Sequence, residues 1–214
     1  MHPFPTPMLM GQGGTLIGYF NIPSPGSSWS VPFPSGTRAG DMIVIVVSDS
    51  NDLTGLLTFS NSGGSATYNY SAQGGQTNLS VYHKVLDATD ISSGVTVTSA
   101  ISTICGSVFV FRGITSPFNG TQSNNNAALS NGSTVTATGF SASAQTLAAI
   151  FIVMTKSATF TTDTQVGTYT GRVNGANSSF VWQVFAAGYG NQNVSWSNVQ
   201  NMGFWCATSE DLRS

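Results

Sequence analysis

Gly40-Asp41-Met42-Ile43-Val44-Ile45-Val46-Val47-Ser48-Asp49 decides the fold. Six apolar residues run without a break from Met42 to Val47, and five of them are β-branched. β-Branched side chains favour the extended backbone, and a continuous apolar run between turn formers reads as a strand buried on both faces. The spacing predicts that Met42–Val47 is central in a sheet. A second such run, Thr146-Leu147-Ala148-Ala149-Ile150-Phe151-Ile152-Val153-Met154, comes late in the chain.

Short segments with turn signals at their ends surround these two runs. Before the first come Thr15–Ile22 and Trp29–Phe33, the latter demoted to an edge by Pro32 and Pro34. Leu56–Ser60, Ala66–Ser71, Leu79–Val85, Val95–Thr98 and Cys105–Phe111 come after it. Gly63-Gly64 and Gly74-Gly75 supply turns between them. In Leu79–Val85, period-2 alternation puts Leu79, Val81, His83 and Val85 on one face and Ser80, Tyr82 and Lys84 on the other. Residues 116–132 read as a polar connection, with turn dipeptides Asn119-Gly120 and Asn131-Gly132. Strands resume at Thr134–Phe140, Thr146–Met154, Ala158–Thr162, Val166–Thr170, Phe180–Ala186, Asn193–Ser197 and Met202–Thr208. No segment holds a 3.6-residue period, so almost no helix is expected.

The second half echoes the first. An offset of 101 superposes Thr58-Phe59 on Thr159-Phe160, Thr67-Tyr68 on Thr168-Tyr169, Cys105 on Cys206 and Arg112 on Arg213. The central runs superpose at an offset of 105 instead, which makes one loop of the first copy four residues longer. Many short strands with regular turn signals make a sandwich or barrel. The expected fold is all-β: a two-sheet, jelly-roll-like β-sandwich over residues 15–214, built from pseudo-repeated halves at about 15–115 and 133–214. Two small tandem sandwiches are the alternative.

Composition narrows the function. Charged residues are 7% of the 214, against roughly 25% in average globular proteins, so the surface is neutral and rich in hydroxyls and amides. Net charge is −2 and no Lys/Arg cluster exists, which argues against nucleic acid as a partner. No apolar run reaches the roughly 18 residues of a membrane span, so no membrane insertion is expected. Residues 1–8 lack the charged start and apolar stretch of an export signal. An adhesive-looking surface without an export signal suits a virus particle, whose proteins fold in the host cytoplasm and work outside after release.

Residues 1–14 read as an extended arm. Pro3, Pro5 and Pro7 favour a polyproline conformation, and Gly11, Gly13 and Gly14 then give slack. Phe4, Met8 and Met10 are apolar anchors on that arm, and Met adapts to irregular grooves. Pro3, Phe4, Pro5, Pro7, Met8 and Met10 are therefore the expected partner-binding residues. The expected partners are other virion proteins and further copies of the chain.

Catalytic chemistry is hard to assemble. Of two histidines, His2 is in the arm and His83 is on an apolar strand face. Cys105 and Cys206 sit about 100 residues apart in apolar strands and are expected to be free buried thiols rather than zinc ligands. Asp49, Asn51 and Asp52 offer oxygens but lack the full spaced set of a calcium loop. No nucleophile elbow or phosphate-cradling loop is present. No enzyme, metal or cofactor is expected. Trp29 and Trp196, each flanked by serines, are the candidate stacking platforms for a host-surface glycan, which is the lectin-like alternative to a purely structural role.

The motif order is informative. Ala39-Gly40-Asp41 precedes the apolar run; a polar stretch and a strand ending in Tyr82-His83-Lys84-Val85 come after it. A Thr/Val strand is next, then Val108-Phe109-Val110-Phe111-Arg112-Gly113-Ile114 and Ser116-Pro117-Phe118-Asn119. This order resembles a loose family of β-sandwich proteins found in phage virions and on bacterial surfaces, across roughly residues 36–213. The second copy carries Ala144-Gln145-Thr146 where the family has Gly-Asp. The resemblance implies a virion or surface component and transfers no catalytic residue.

Overall fold

The computed structural model describes the backbone of residues 14–22, 27–49, 57–60, 65–72, 77–99, 105–114, 116–125, 134–140, 148–156, 159–163, 169–174, 178–186, 192–200 and 205–213. It describes the side chains of 14–22, 27–46, 60, 82–98 and 106–114.

The first half contains β1 (Thr15–Ile22), β2 (Ser28–Ser30), β3 (Met42–Asp49), β4 (Leu57–Phe59), β5 (Ser65–Ala72), β6 (Thr77–Val85), α1 (Ala88–Ser93), β7 (Thr96–Ser99) and β8 (Cys105–Arg112). The second contains β9 (Ser116–Asn125), β10 (Thr134–Phe140), β11 (Ala148–Lys156), β12 (Thr159–Asp163), β13 (Tyr169–Asn174), β14 (Ser178–Ala186), β15 (Gln192–Gln200) and β16 (Trp205–Arg213). All the strand pairs are antiparallel. The protein is all-β apart from the one short helix among the described residues.

Four sheets form. Their orders are β1-β8-β3-β6-β5, β2-β7-β4, β13-β14-β11-β16-β9 and β10-β15-β12. β3, which carries the decisive run, is the middle strand of its five, and β2 is an edge strand, both as the sequence predicts. Met42, Ile43, Val44, Ile45 and Val46 are each 0% exposed. Fully burying such a side chain is worth about 1.5–3 kcal/mol, so this strand is a main anchor of the fold.

Alternation divides its two faces. Ile43 and Ile45 join Tyr82, Val108 and Val110 of the same sheet, and Trp29 and Val97 of the three-stranded sheet, in one buried cluster. Met42, Val44 and Val46 lie at the alternate positions, at the level of Phe111, Phe109 and Ser107 of β8. That second face meets the other five-stranded sheet: β1 and β8 lie against β13, β3 against β14, β6 against β11 and β16, and β5 against β16 and β9.

The internal repeat holds at the level of strand order. Replacing β1–β8 by β9–β16 in sequence converts the orders of the first two sheets into those of the other two. Ladder register refines the offsets. Met42 lies between Val85 and Phe111; Ala148 lies between Ala186 and Leu212. The flanking strands thus keep the offset of 101, while the central strands differ by 106 rather than the 105 read from the sequence. Cys105 and Cys206 fall at equivalent rungs, opposite Ser48 and Met154. The Tyr68/Tyr169 match does not: Tyr68 opposes Val81, whereas Tyr169 opposes Val184.

One expectation is corrected. Residues 116–125 are strand β9, not connection, and pair along β16. Asn119-Gly120 is no hairpin turn; the β9–β16 register slips between Thr208 and Glu210, so this dipeptide sits at a bulge. The second set of strands therefore begins at Ser116, not near 133. Helix is almost absent from the described residues, as the sequence predicts, and the one helix there is α1. Asp87 caps it by accepting from the backbone N of Asp90 at 2.8 Å, while the Asp90 carboxylate accepts from the backbone N of Asp87 at 2.9 Å. That reciprocal box stabilises a six-residue turn too short to show a period.

Candidate functional site

The arm residues Pro3, Phe4, Pro5, Pro7, Met8 and Met10 lie outside the described residues. Past the arm, the chain enters β1, an outer strand of its sheet, at Thr15. Tyr19 and Phe20 on that strand are 41% and 39% exposed, the most exposed large aromatics described.

The two tryptophan candidates fare differently. Trp29 is 8% exposed and packs in the cluster between β2-β7-β4 and β3. It presents no face for a sugar ring, so its reading as a stacking platform is corrected. The flanking serines misled: in Ser28-Trp29-Ser30 they mark the alternation, with Ser28 and Ser30 exposed and the indole turned in. Its Nε1 has no hydrogen-bond partner among the described residues. Trp196 lies on β15, the middle strand of its sheet, at the rung between Val135 and Asp163. Its side chain is outside the described set.

The outward face of β2-β7-β4 is hydroxylic. Ser28, Ser30 and Thr98 are exposed, with Ser28 opposite Thr98 and Ser30 opposite Thr96. Register puts Thr134 and Thr136 opposite Ser197 and Ser195 in the equivalent sheet. These rungs carry no ionisable groups.

The ionisable groups instead build two fixtures. In the first, Asp41 is 1% exposed. Arg112 donates Nε to Asp41 Oδ1 at 2.9 Å and Nη2 to Oδ2 at 2.8 Å, with Nη2 also donating to the Gly36 carbonyl at 2.8 Å. Asp41 Oδ2 also accepts from the Arg38 backbone N at 2.9 Å, so Asp41 caps its turn. The side-chain hydrogen bond to Asp41 pushes the Arg112 pKa up further. Bidentate Arg–carboxylate geometry fixes direction as well as energy. It ties the start of β3 to the end of β8, and so explains why Gly-Asp opens one strand and Arg-Gly closes its neighbour. Gly40 itself adopts φ +88°, where a side chain is strained.

In the second fixture, Lys84 Nζ donates to Asp90 Oδ1 at 2.7 Å, with both side chains almost wholly buried. The same carboxylate closes the α1 capping box through Oδ2. One buried group thus ties the helix to β6. Neither pair stands out in the sequence; the signals that could have found them are Asp-x-x-Asp before a turn, and Asp and Arg at the facing ends of adjacent strands.

His83 is 2% exposed and shares the rung of Val44 in the face that meets the second half. Burial lowers its pKa from 6.5 to about 4, so it is neutral at physiological pH. Among the described residues no three His, Cys, Asp or Glu side chains gather to hold a metal ion, and no helix is long and apolar enough to cross a membrane. The Asp41–Arg112 pair ties β3 to β8, and the Lys84–Asp90 pair ties α1 to β6.

Comparison with known proteins adds no relative: no protein-family model matches the chain, and neither does any curated protein or solved structure.

Proposed function

We propose that this chain is a non-enzymatic structural protein of a virus particle, an accessory coat or tail component. It folds in the host cytoplasm and joins its neighbours through its N-terminal arm and its sheet surfaces. The observation that carries this reading is the duplicated strand plan. In each half the orders 1-8-3-6 and 2-7-4 support a jelly-roll reading, from which the fifth strand departs by lying beside the sixth rather than the fourth. On this reading each half is a two-sheet sandwich and the chain a tandem pair. Jelly rolls recur in viral coats and in lectins, and a fold alone does not choose between them. The 7% charge content and the apolar, proline-rich arm leading into an outer strand favour assembly. The burial of Trp29 removes one of the two platforms that favoured the lectin-like alternative.

Deletion of residues 1–13 tests the reading. The truncated chain should keep its β-type circular dichroism and melting temperature, because the described core draws on residues 17–110. Its incorporation into particles, measured by quantitative mass spectrometry of the purified particle, should fall by about tenfold, the loss of some 1.4 kcal/mol of docking energy. Full incorporation, or failure to find the intact chain in particles at all, overturns the proposal.

A further inference from the structure

All the described ladders close within one half. β1 to β8 pair only with one another, and so do β9 to β16. The halves therefore meet by face packing, without shared ladder hydrogen bonds among the described residues. Apart from that of β6 with β16, the face contacts named above are reciprocal under the repeat. β1 lies against β13, and β5, whose counterpart is β13, lies against β9, the counterpart of β1. β8 against β13 is answered by β16 against β5, and β3 against β14 by β11 against β6. Reciprocal pairing of equivalent elements is what a two-fold, isologous contact produces. On the first half this face carries Met42, Val44, Val46, Phe109 and Phe111, each 0% exposed, so the first half alone would expose a large apolar surface.

The covalent link between the halves is short. β8 ends at Arg112 and β9 begins at Ser116. Within the link Gly113 adopts φ +79°, and Ile114 is fully buried.

We propose that copies of this chain associate by exchanging halves: the first half of one copy is covered by the second half of its partner, and the reverse, in a closed two-fold dimer. When the halves part, the occupant of the uncovered face is the second half of another copy, because a five-stranded sheet of this plan reproduces the strand matches. Exchange breaks no ladder and recreates every face contact. Only the short connection between Arg112 and Ser116 has to change course. The balance between closed monomer and exchanged dimer is then set by that connection and by concentration. This inference stands apart from the virion reading, since it is tested without particles.

The test uses the full chain. Unlabelled and ¹⁵N-labelled protein are unfolded together, refolded at high concentration and measured by native mass spectrometry. Mixed-isotope dimers are expected, persisting on dilution far longer than a surface contact would. Deleting Thr115 should raise the dimer share, because a shorter connection leaves the two halves of one chain less room to close on each other. Inserting about ten Gly/Ser residues between Ile114 and Thr115 should lower it by about tenfold, because the halves then close on each other freely. Monomer alone at every concentration overturns the proposal. So does a dimer share indifferent to the length of the connection, which would assign association to another surface.

Discussion

Replacing Lys84 by Met removes one charge from a pair sealed inside the protein. Lys84 is 4% and Asp90 0% exposed, and their Nζ–Oδ1 separation is 2.7 Å. Methionine keeps the length and apolar stem of lysine, so packing beside Ile43 changes little. What changes is that the Asp90 carboxylate loses its ammonium while it stays buried. Removing one partner of a buried ion pair costs about 3–5 kcal/mol. The hydrogen bond from the Asp87 N–H persists and keeps the loss near the lower figure, about 3 kcal/mol. At about 2–4 °C per kcal/mol for a chain of this size, the melting temperature should drop by about 6–12 °C. Asp90→Asn should cost a similar amount by stranding the ammonium. The double variant Lys84→Met with Asp90→Asn carries no charge at this site, and the new side-chain oxygen still accepts from the Asp87 N–H. It should lie within about 1 kcal/mol of the parent. Urea unfolding of all four proteins completes the cycle. Single variants that lose under about 1 kcal/mol, or a double variant that loses the sum of both, would refute the reasoning.

Three further outcomes rest on single positions. A Cβ at Gly18 would sit 2.8 Å from Pro34 Cβ and 2.9 Å from its Cγ, and the rigid ring cannot swing away; Gly18→Ala should cost about 1–3 kcal/mol by chemical denaturation, and an unchanged midpoint contradicts the close approach. His83 stays neutral in the folded protein down to about pH 4, whereas the unfolded chain takes up its proton near 6.5, so its contribution is whole above pH 6.5 and is lost as pH falls from 6.5 towards 4. His83→Gln should flatten the stability profile across that window, and equal slopes in both proteins would count against the burial. Cys105 and Cys206 lie on β8 and β16, which face β13 and the β5–β6 edge of the opposite sheet rather than each other; thiol titration in denaturant should find two free groups, and finding none refutes this placement.

How far the sequence could be read depended on where the signal lay. The runs at Met42–Val47 and Ala148–Met154 announced their strands because apolar, β-branched residues are demanded on both faces of a middle strand. β9 announced nothing. Ser116-Pro117-Phe118-Asn119-Gly120-Thr121-Gln122-Ser123-Asn124-Asn125 has little strand propensity, and its extended form is imposed by the β16 edge it pairs with. The repeat was legible in the flanking strands at 101 residues, yet the central offset needed ladder register, since an apolar run looks the same when slid by one residue. For Trp29, serine neighbours are compatible with exposure or with inward alternation, and only the packing of β2 on β3 decides. The partners of Asp41 and Lys84 depended on which strands become neighbours, which local pattern does not encode.

The fixtures of the first half have no full copy in the second. By ladder register Lys84 corresponds to Phe185, and the position before the central strand, Asp41, corresponds to Leu147. Ten residues separate β6 from β7 and accommodate α1, whereas five separate β14 from β15. In a dimer of identical chains every substitution is written twice, once on each side of the axis. Here the two copies are joined and their sequences differ freely, so one carries a helix and a buried charge pair where its twin has Phe185 in place of the lysine and a connection five residues shorter. The result is a nearly symmetric body with distinguishable ends, able to present different neighbours with different surfaces while keeping a single shared plan inside.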